Sequence, residues 1–365
     1  MTSLLSAFHS GLTPTLKRPR HALTGFCLLA MASATWAVPA PELERQLAMD
    51  IGHQLIQPAY QQLAETTDHL SHDAEAYCQT AGSSLEAVQR SYRDSLNDWM
   101  RVQAINWGPA EKYNRNPSMY FWPDKKNISS RQLNTLINNA DPAVLDPAAF
   151  SQASIAVSGL SAIERLLFDS PPPQPNSYRC QLLSAISANT ARISQQLVVE
   201  WPTYVQQWQT DSDPLKGIRL LLKSMDEVAQ IISQQKLAMP MGSELSKSRA
   251  SRAESYRSAS SLANIRANWT FITSLLQGNS DQPGLLKLIS RENDELAETL
   301  RGLIFTTDHL LKAMDFTLEH AISDPEQRGK LMMLQANIDT MQSLLSTDVS
   351  GTLGITLGFN SRDGD

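Results

Sequence analysis

The chain has 365 residues, with 31 Lys or Arg, 37 Asp or Glu and a formal net charge of −6. That balance argues against a nucleic-acid partner, because phosphate binding rests on clustered cations. The length is too great for one simple helical bundle and predicts two domains.

The first element is a leader. Lys17, Arg18 and Arg20 form a basic stretch with no acidic residue before Glu42, and residues 22–34 are mostly apolar around Leu28, Leu29 and Met31. This pattern predicts a secretory signal peptide over residues 1–37, cut after Ala37 in Thr35-Trp36-Ala37, or else after Ala34. The apolar run is too short for a permanent anchor, and no later segment is a transmembrane candidate. Lipid attachment at Cys27 is disfavoured. Phe26 stands where a small residue belongs, and the apolar run continues past the cysteine. Beyond the leader the charge becomes more negative, which suits an exported protein that attracts cations. Two cysteines remain there, Cys78 and Cys180. An even pair in an exported chain predicts a disulfide, with two buried thiols as the alternative. It would close a loop of about a hundred residues, a constraint contributing roughly 4–5 kcal/mol in the chain-entropy model.

Helical patterning follows almost throughout. One helix is expected to end near Trp107, before loops at Pro109 and between Pro117 and Pro123. Pro142 and Pro147 mark another loop, and Pro171-Pro172-Pro173 ends the helix carrying Glu164. Asp211-Ser212-Asp213-Pro214 is a turn with Asp213 as a helix N-cap. The domain boundary is placed there, giving an N-terminal bundle over residues 38–212 and a C-terminal bundle over residues 213–365. Leu215, Ile218, Leu222, Met225, Val228 and Ile232 recur at helical spacing, as do Ile289, Leu296, Leu300, Leu303, Leu310 and Met314 over a longer stretch. Both stripes read as core. Residues 239–255, rich in Ser, Arg and Lys, read as a polar loop that is mobile or wraps the surface. Leu353, Ile355, Leu357 and Phe359 alternate among glycines, predicting an irregular tail with no partner strand. Thr66-Thr67-Asp68-His69-Leu70 recurs as Thr306-Thr307-Asp308-His309-Leu310, either the remnant of an internal duplication or chance.

The most informative segment is residues 158–168, which places Gly159, Ser161 and Glu164 in the pattern Gly-x-Ser-x-x-Glu. It resembles the Gly-x-His-x-x-Glu signature of the imelysin family, with Ser161 in the position of the histidine. Trp107-Gly108-Pro109, Arg115, Phe121-Trp122-Pro123-Asp124-Lys125-Lys126-Asn127, residues 254–265 and the ending at residues 357–365 are also similar to an imelysin-like branch. Together they span nearly all of the chain beyond the leader. The resemblance implies an exported all-α protein of two helical bundles packed side by side, associated with bacterial iron uptake. Some family members are described as peptidases and others as binding proteins.

The chemistry turns on Glu164. Leu160, Ile163, Leu166 and Leu167 should face the core beside it, so its partly buried carboxylate needs a base, a hydrogen bond or a cation. Structural pairing with Arg165 or with a residue of the other bundle is the plainer reading. A His and a Glu three apart could share a metal, whereas Ser161 and Glu164 make a poor site for iron, zinc or another divalent metal. That substitution tells against peptidase activity. Ser161 lacks the second glycine of a nucleophile elbow, and no His-Glu-x-x-His occurs. His69, His72 and Asp73 fall near one helix face, read as solvated surface. Phe121 and Trp122 either cap the bundle ends or line a cleft with Asp124 and Lys125, with Arg115 and Glu111 in the same cluster. Glu254, Arg257 and Asn264 form a second constellation at a helix start, with Glu254 and Arg257 spaced to pair. The expected ligand cleft lies at the interface of the two bundles, lined from Gly159, Ser161, Glu164, Trp122, Asp124, Lys125, Glu254 and Arg257. An inter-domain salt bridge without a ligand is the alternative. The reading is a periplasmic binding or accessory protein whose partner is an iron-uptake component of the cell envelope. The alternatives are a metal-dependent peptidase and an envelope scaffold binding another protein through residues 239–255.

Overall fold

An apolar stripe on one face of a helix must be covered, so the stripes above dictate helix-on-helix packing. The computed structural model describes residues 40–79 and 84–358. The expected leader with Cys27 and both candidate cleavage sites, and the tail from Phe359 onward, lie outside the described residues. Ten α-helices of ten residues or more carry the described part. They are α1 (Ala40–Ile51), α2 (Gln57–Cys78), α3 (Leu85–Met100), α4 (Ile128–Asn139), α5 (Gly159–Phe168), α6 (Tyr178–Gln206), α7 (Lys216–Gln230), α8 (Ser261–Gln277), α9 (Asp294–Lys312) and α10 (Pro325–Ser343). Three of them continue through π-helical turns: α1 through Gly52–Ile56 into α2, α7 through Ile231–Ala238, and α10 through Leu344–Val349. The described residues contain no strand, only an isolated bridge between Gly278 and Pro283.

In the first half α2 lies along α6, with α3 against α2 and α5 against both α3 and α6. A Cys78–Cys180 disulfide joins the end of α2 to the start of α6, with 5.4 Å between Cα atoms. In the second half α7 packs on α8 and α10, and α9 on α10. Helices of the two halves pack on one another where α1 meets α7 and where α3 meets α8. The first contact is close. A Cβ on Gly217 would lie 2.5 Å from the Ala48 Cβ. Arg45 of α1 also donates to the carbonyls of Trp208 and Asp211 at 2.6 and 2.8 Å, clamping the turn at residues 211–214. One apolar core runs from Leu47 to Ile355 across that turn.

Several boundaries differ from expectation. The helix expected to end near Trp107 ends at Met100. There the backbone tightens, with Arg101 N–H bonding to Asp98 and Val102 N–H to Trp99. The Met100 carbonyl instead accepts from the Asn268 side chain at 2.6 Å, so a residue from the other half terminates α3. The long stripe through Ile289 and Leu296 is broken at Asn293. Its extended backbone (φ −153°) and side chain, which accepts the Leu296 N–H at 3.0 Å, start α9 afresh. Asp213 accepts the Leu215 N–H at 3.0 Å, one turn before α7 proper. Residues 242–252 wrap the surface while Met241 and residues 253–255 are buried, and Arg328 donates to the carbonyls of Met241 (2.7 Å) and Gly242 (2.9 Å).

Candidate functional site

The signature helix α5 holds a different segment on each side. At its first residue Gly159 has φ +67°, and a Cβ there would lie 2.3 Å from the carbonyl oxygens of Ser118 and Met119. Only glycine lets that stretch lie against the helix start. Ser161 Oγ then accepts the Phe121 N–H at 3.2 Å. One turn later Arg165 faces Asp124 at 3.5 Å. Asp124 in turn accepts the N–H groups of Ile128 (2.7 Å) and Ser129 (3.0 Å), capping α4. Gly159, Ser161 and Arg165 together fix residues 118–129.

Glu164 holds the other segment. It is 5% exposed, and its Oε1 accepts both the backbone N–H (3.0 Å) and the hydroxyl (2.8 Å) of Ser258. Burial pushes this carboxyl above its ordinary value, and the two Ser258 bonds partly offset that. Ser258 sits in residues 254–260, which do not begin a helix. They form a turn with left-handed Ser255 (φ 52°) and Ala259 (φ 54°), and α8 starts only at Ser261. Glu254 and Arg257 are therefore not helical neighbours, and they do not pair with each other. Arg257 Nε bonds to Asp169 at 2.6 Å, and its guanidinium lies over the Tyr256 ring.

Glu254 faces inward to a residue that the sequence reading missed. Its Oε2 lies 2.7 Å from Lys236 Nζ and accepts from Asn264 at 2.8 Å. Lys236 is 1% exposed and comes from the π-helical turn after α7. It also donates to Asn268 Oδ1 and to Gln103 Oε1 (3.2 Å), and Asn268 reaches the end of α3. Asn264 further donates to Ser255 Oγ at 3.0 Å, which bonds to Tyr120 OH at 2.8 Å. Burial first, then the carboxylates of Glu164 and Glu254, hold the Tyr92 and Tyr120 hydroxyls protonated well above their ordinary range. The result is a buried polar seam that stitches α5, the 254–260 turn, α8 and the α7 extension to the end of α3.

These residues do not fit a divalent metal. Glu164 Oε1 already accepts two hydrogen bonds, Ser161 Oγ is committed to Phe121, and Glu254 is neutralised by an ammonium. The guanidiniums of Arg257 and Arg165 flank Glu164, so a dication would enter beside fixed positive charges. Among the described residues no three His, Cys, Asp or Glu side chains converge as a metal cluster. His72 pairs with Asp68 on the exposed face of α2, while Asp73 accepts from Ser91 of α3.

The open feature nearby is a cleft of about 590 Å³. Phe121, Pro123, Asp124, Lys125, Lys126 and Ile128 line one wall, and Gln230, Gln234 and Gln235 of α7 and its extension line the other. Of the residues singled out from sequence, Phe121, Asp124 and Lys125 reach it. Gly159, Ser161, Glu164, Glu254 and Arg257 hold its surroundings, and Trp122 packs on the core. Arg115 is buried and bonds to Glu200 (2.5 Å) and the Pro109 carbonyl, not to Glu111. The three glutamines carry no distinctive signal, since amides commonly fill the polar side of a helix stripe. Lys236 did carry one. It continues the Met225, Val228, Ile232 stripe by four residues and so falls on the core face.

The sequence profile of the imelysin family matches residues 56–345. The chain belongs to the imelysin family. Iron-regulated protein A of Synechococcus elongatus is 24% identical over 302 residues, covering 78% of this chain and 79% of its own. The crystal structure of an imelysin-like protein from Psychrobacter arcticum matches with a TM-score of 0.73 at 19% identity, over 88% of this chain and 98% of its own. That of an iron-regulated protein A precursor from Parabacteroides distasonis matches at 0.69 and 16% identity, over 85% and 96% respectively. The all-helical imelysin fold is thus shared at identities of 16–19%.

Proposed function

We propose that this imelysin-family protein is an exported binding or accessory protein of iron uptake. Its ligand seats in the cleft between residues 121–128 and the three glutamines, not on the Gly159-x-Ser161-x-x-Glu164 segment. The observation that carries this reading is the commitment of Glu164 to Ser258 and of Ser161 to Phe121. Side chains tied into the framework are poor metal ligands and poor acid–base groups, while the cleft beside them is accessible. The names of the relatives support the link to iron. The leader pattern supports delivery to the periplasm.

Two measurements test it. Purified mature protein is incubated with unfolded casein, with and without EDTA, and no cleavage is expected. EDTA-sensitive cleavage abolished by Glu164→Ala would overturn the reading in favour of a peptidase. In cells, removal of the gene should slow growth under iron limitation and leave iron-replete growth unchanged. Equal growth in both media would remove the link to iron.

A further inference from the structure

We infer that the cleft takes a small hydroxy-polycarboxylate, free or as its ferric chelate. This rests on the reading of the cleft as the ligand site and adds the ligand's chemistry. The first ground is charge. In a chain of net charge −6, the cleft rim carries Lys125 and Lys126, both exposed and neither in an ion pair among the described residues. The acid among the lining residues, Asp124, is occupied by two N–H groups and faces Arg165. The cleft therefore presents positive charge within an acidic protein. A bare iron or zinc ion would be repelled by the ammoniums, so a metal would enter only inside an anion.

The second ground is an unmet acceptor. Gln235 lines the cleft, and its shielded Oε1 has no hydrogen-bond partner among the described residues and needs a donor. Carboxylates cannot donate, but a hydroxyl can. A ligand bearing both satisfies the lysines and Gln235 together. The volume, about 590 Å³, lies within the range of small-molecule sites and far exceeds a bare ion. Phe121, Pro123 and Ile128 offer apolar contact for a short carbon chain.

The third ground is preorganisation. The π-helical turn faces Gln234 and Gln235 to the cleft and the next residue, Lys236, into the core, where Glu254 pins it. Little ordering of that wall remains to oppose binding.

The test is calorimetric titration of the mature protein with citrate, ferric citrate and tricarballylate, which lacks the hydroxyl. Binding of citrate, ferric citrate or both is expected, weakening with salt, and at least tenfold weaker in Lys125→Glu/Lys126→Glu. Ferric citrate binding alone identifies the chelate as the ligand, and equal binding of both identifies the carboxylate. Gln235→Leu should erase the preference for citrate over tricarballylate. Binding of neither citrate form, or binding unaffected by the charge reversal, overturns the inference. Iron-limited growth of the charge-reversed strain then separates the two levels. Impaired growth without citrate binding leaves the cleft reading standing with another ligand class, and wild-type growth removes the cleft reading as well.

Discussion

The buried seam and the open cleft are built from the same parts. Residues 118–129 and the turn at Ser258 lie on the two sides of α5, and the π-helical turn turns Lys236 to the seam and Gln235 to the cleft. In the seam Glu254 Oε2 is met by Lys236 and Glu164 Oε1 by Ser258, while Glu254 Oε1 has no hydrogen-bond partner among the described residues. Among the described residues, Lys125 and Lys126 have no ion-pair partner and Gln235 Oε1 no hydrogen-bond partner. The difference teaches that the most recognisable residues of this chain are tied into its framework, and that the exposed lysines sit one element away.

The comparison breaks if the seam proves dispensable. The largest effect is expected for Lys236→Met, which strands Glu254 as a buried charge and should cost about 3–5 kcal/mol. Denaturant unfolding would show it, and adding Glu254→Gln should restore most of the loss. Next comes Gly159→Ala. The left-handed backbone and the Met119 carbonyl both oppose a Cβ, so stability should fall by more than about 1 kcal/mol. Hydrogen exchange should then rise selectively in residues 118–127.

Glu164→Gln sharpens the contrast through pH. Burial raises the native carboxyl above its unfolded value, so the folded state holds this proton more tightly. The associated stability is fully present below the unfolded carboxylate range and is lost as pH rises through the raised native value. Buried Asp98 and half-buried Glu319 act with the same sign. Glutamine still accepts both Ser258 bonds, so unfolding midpoints should depend less on pH in this variant, with near-neutral stability unchanged or slightly higher. An unchanged pH slope would show that Glu164 is not the titrating group. The smallest effect on stability is expected for Lys125→Ala, within about 0.5 kcal/mol, because the side chain is exposed and free of ion pairs. A larger loss there would mean that the cleft wall is also framework.

The fold was largely legible because its signals are local. Ile218, Leu222, Met225, Val228 and Ile232 announced α7 and are all fully buried. The cysteine pair was readable from number and compartment, and Gly159 and Glu164 from the signature spacing. What was illegible depends on distant residues. The end of α3 is set by Asn268, more than 160 residues away in sequence, and no local stop signal marks Met100. The expected pairing of Glu254 with Arg257 assumed a regular helix, whereas Ser255 and Ala259 take left-handed conformations that their residue types do not advertise. The cleft was only half visible, because its second wall is made of ordinary glutamines.

The π-helical turn after α7 has a consequence for sequence length. A turn of this kind behaves as one extra residue slipped into an α-helix. Deleting a single residue from Ile231–Ala238 would rewind the segment as α-helix, turning side chains inside it by about 100° while what lies beyond keeps its phase. Lys236 would leave Glu254, while the strap at Met241 and Gly242 would keep its register with Arg328. In a comparison of distant family members, single-residue gaps within this helix would mark chains whose cleft faces a different set of side chains.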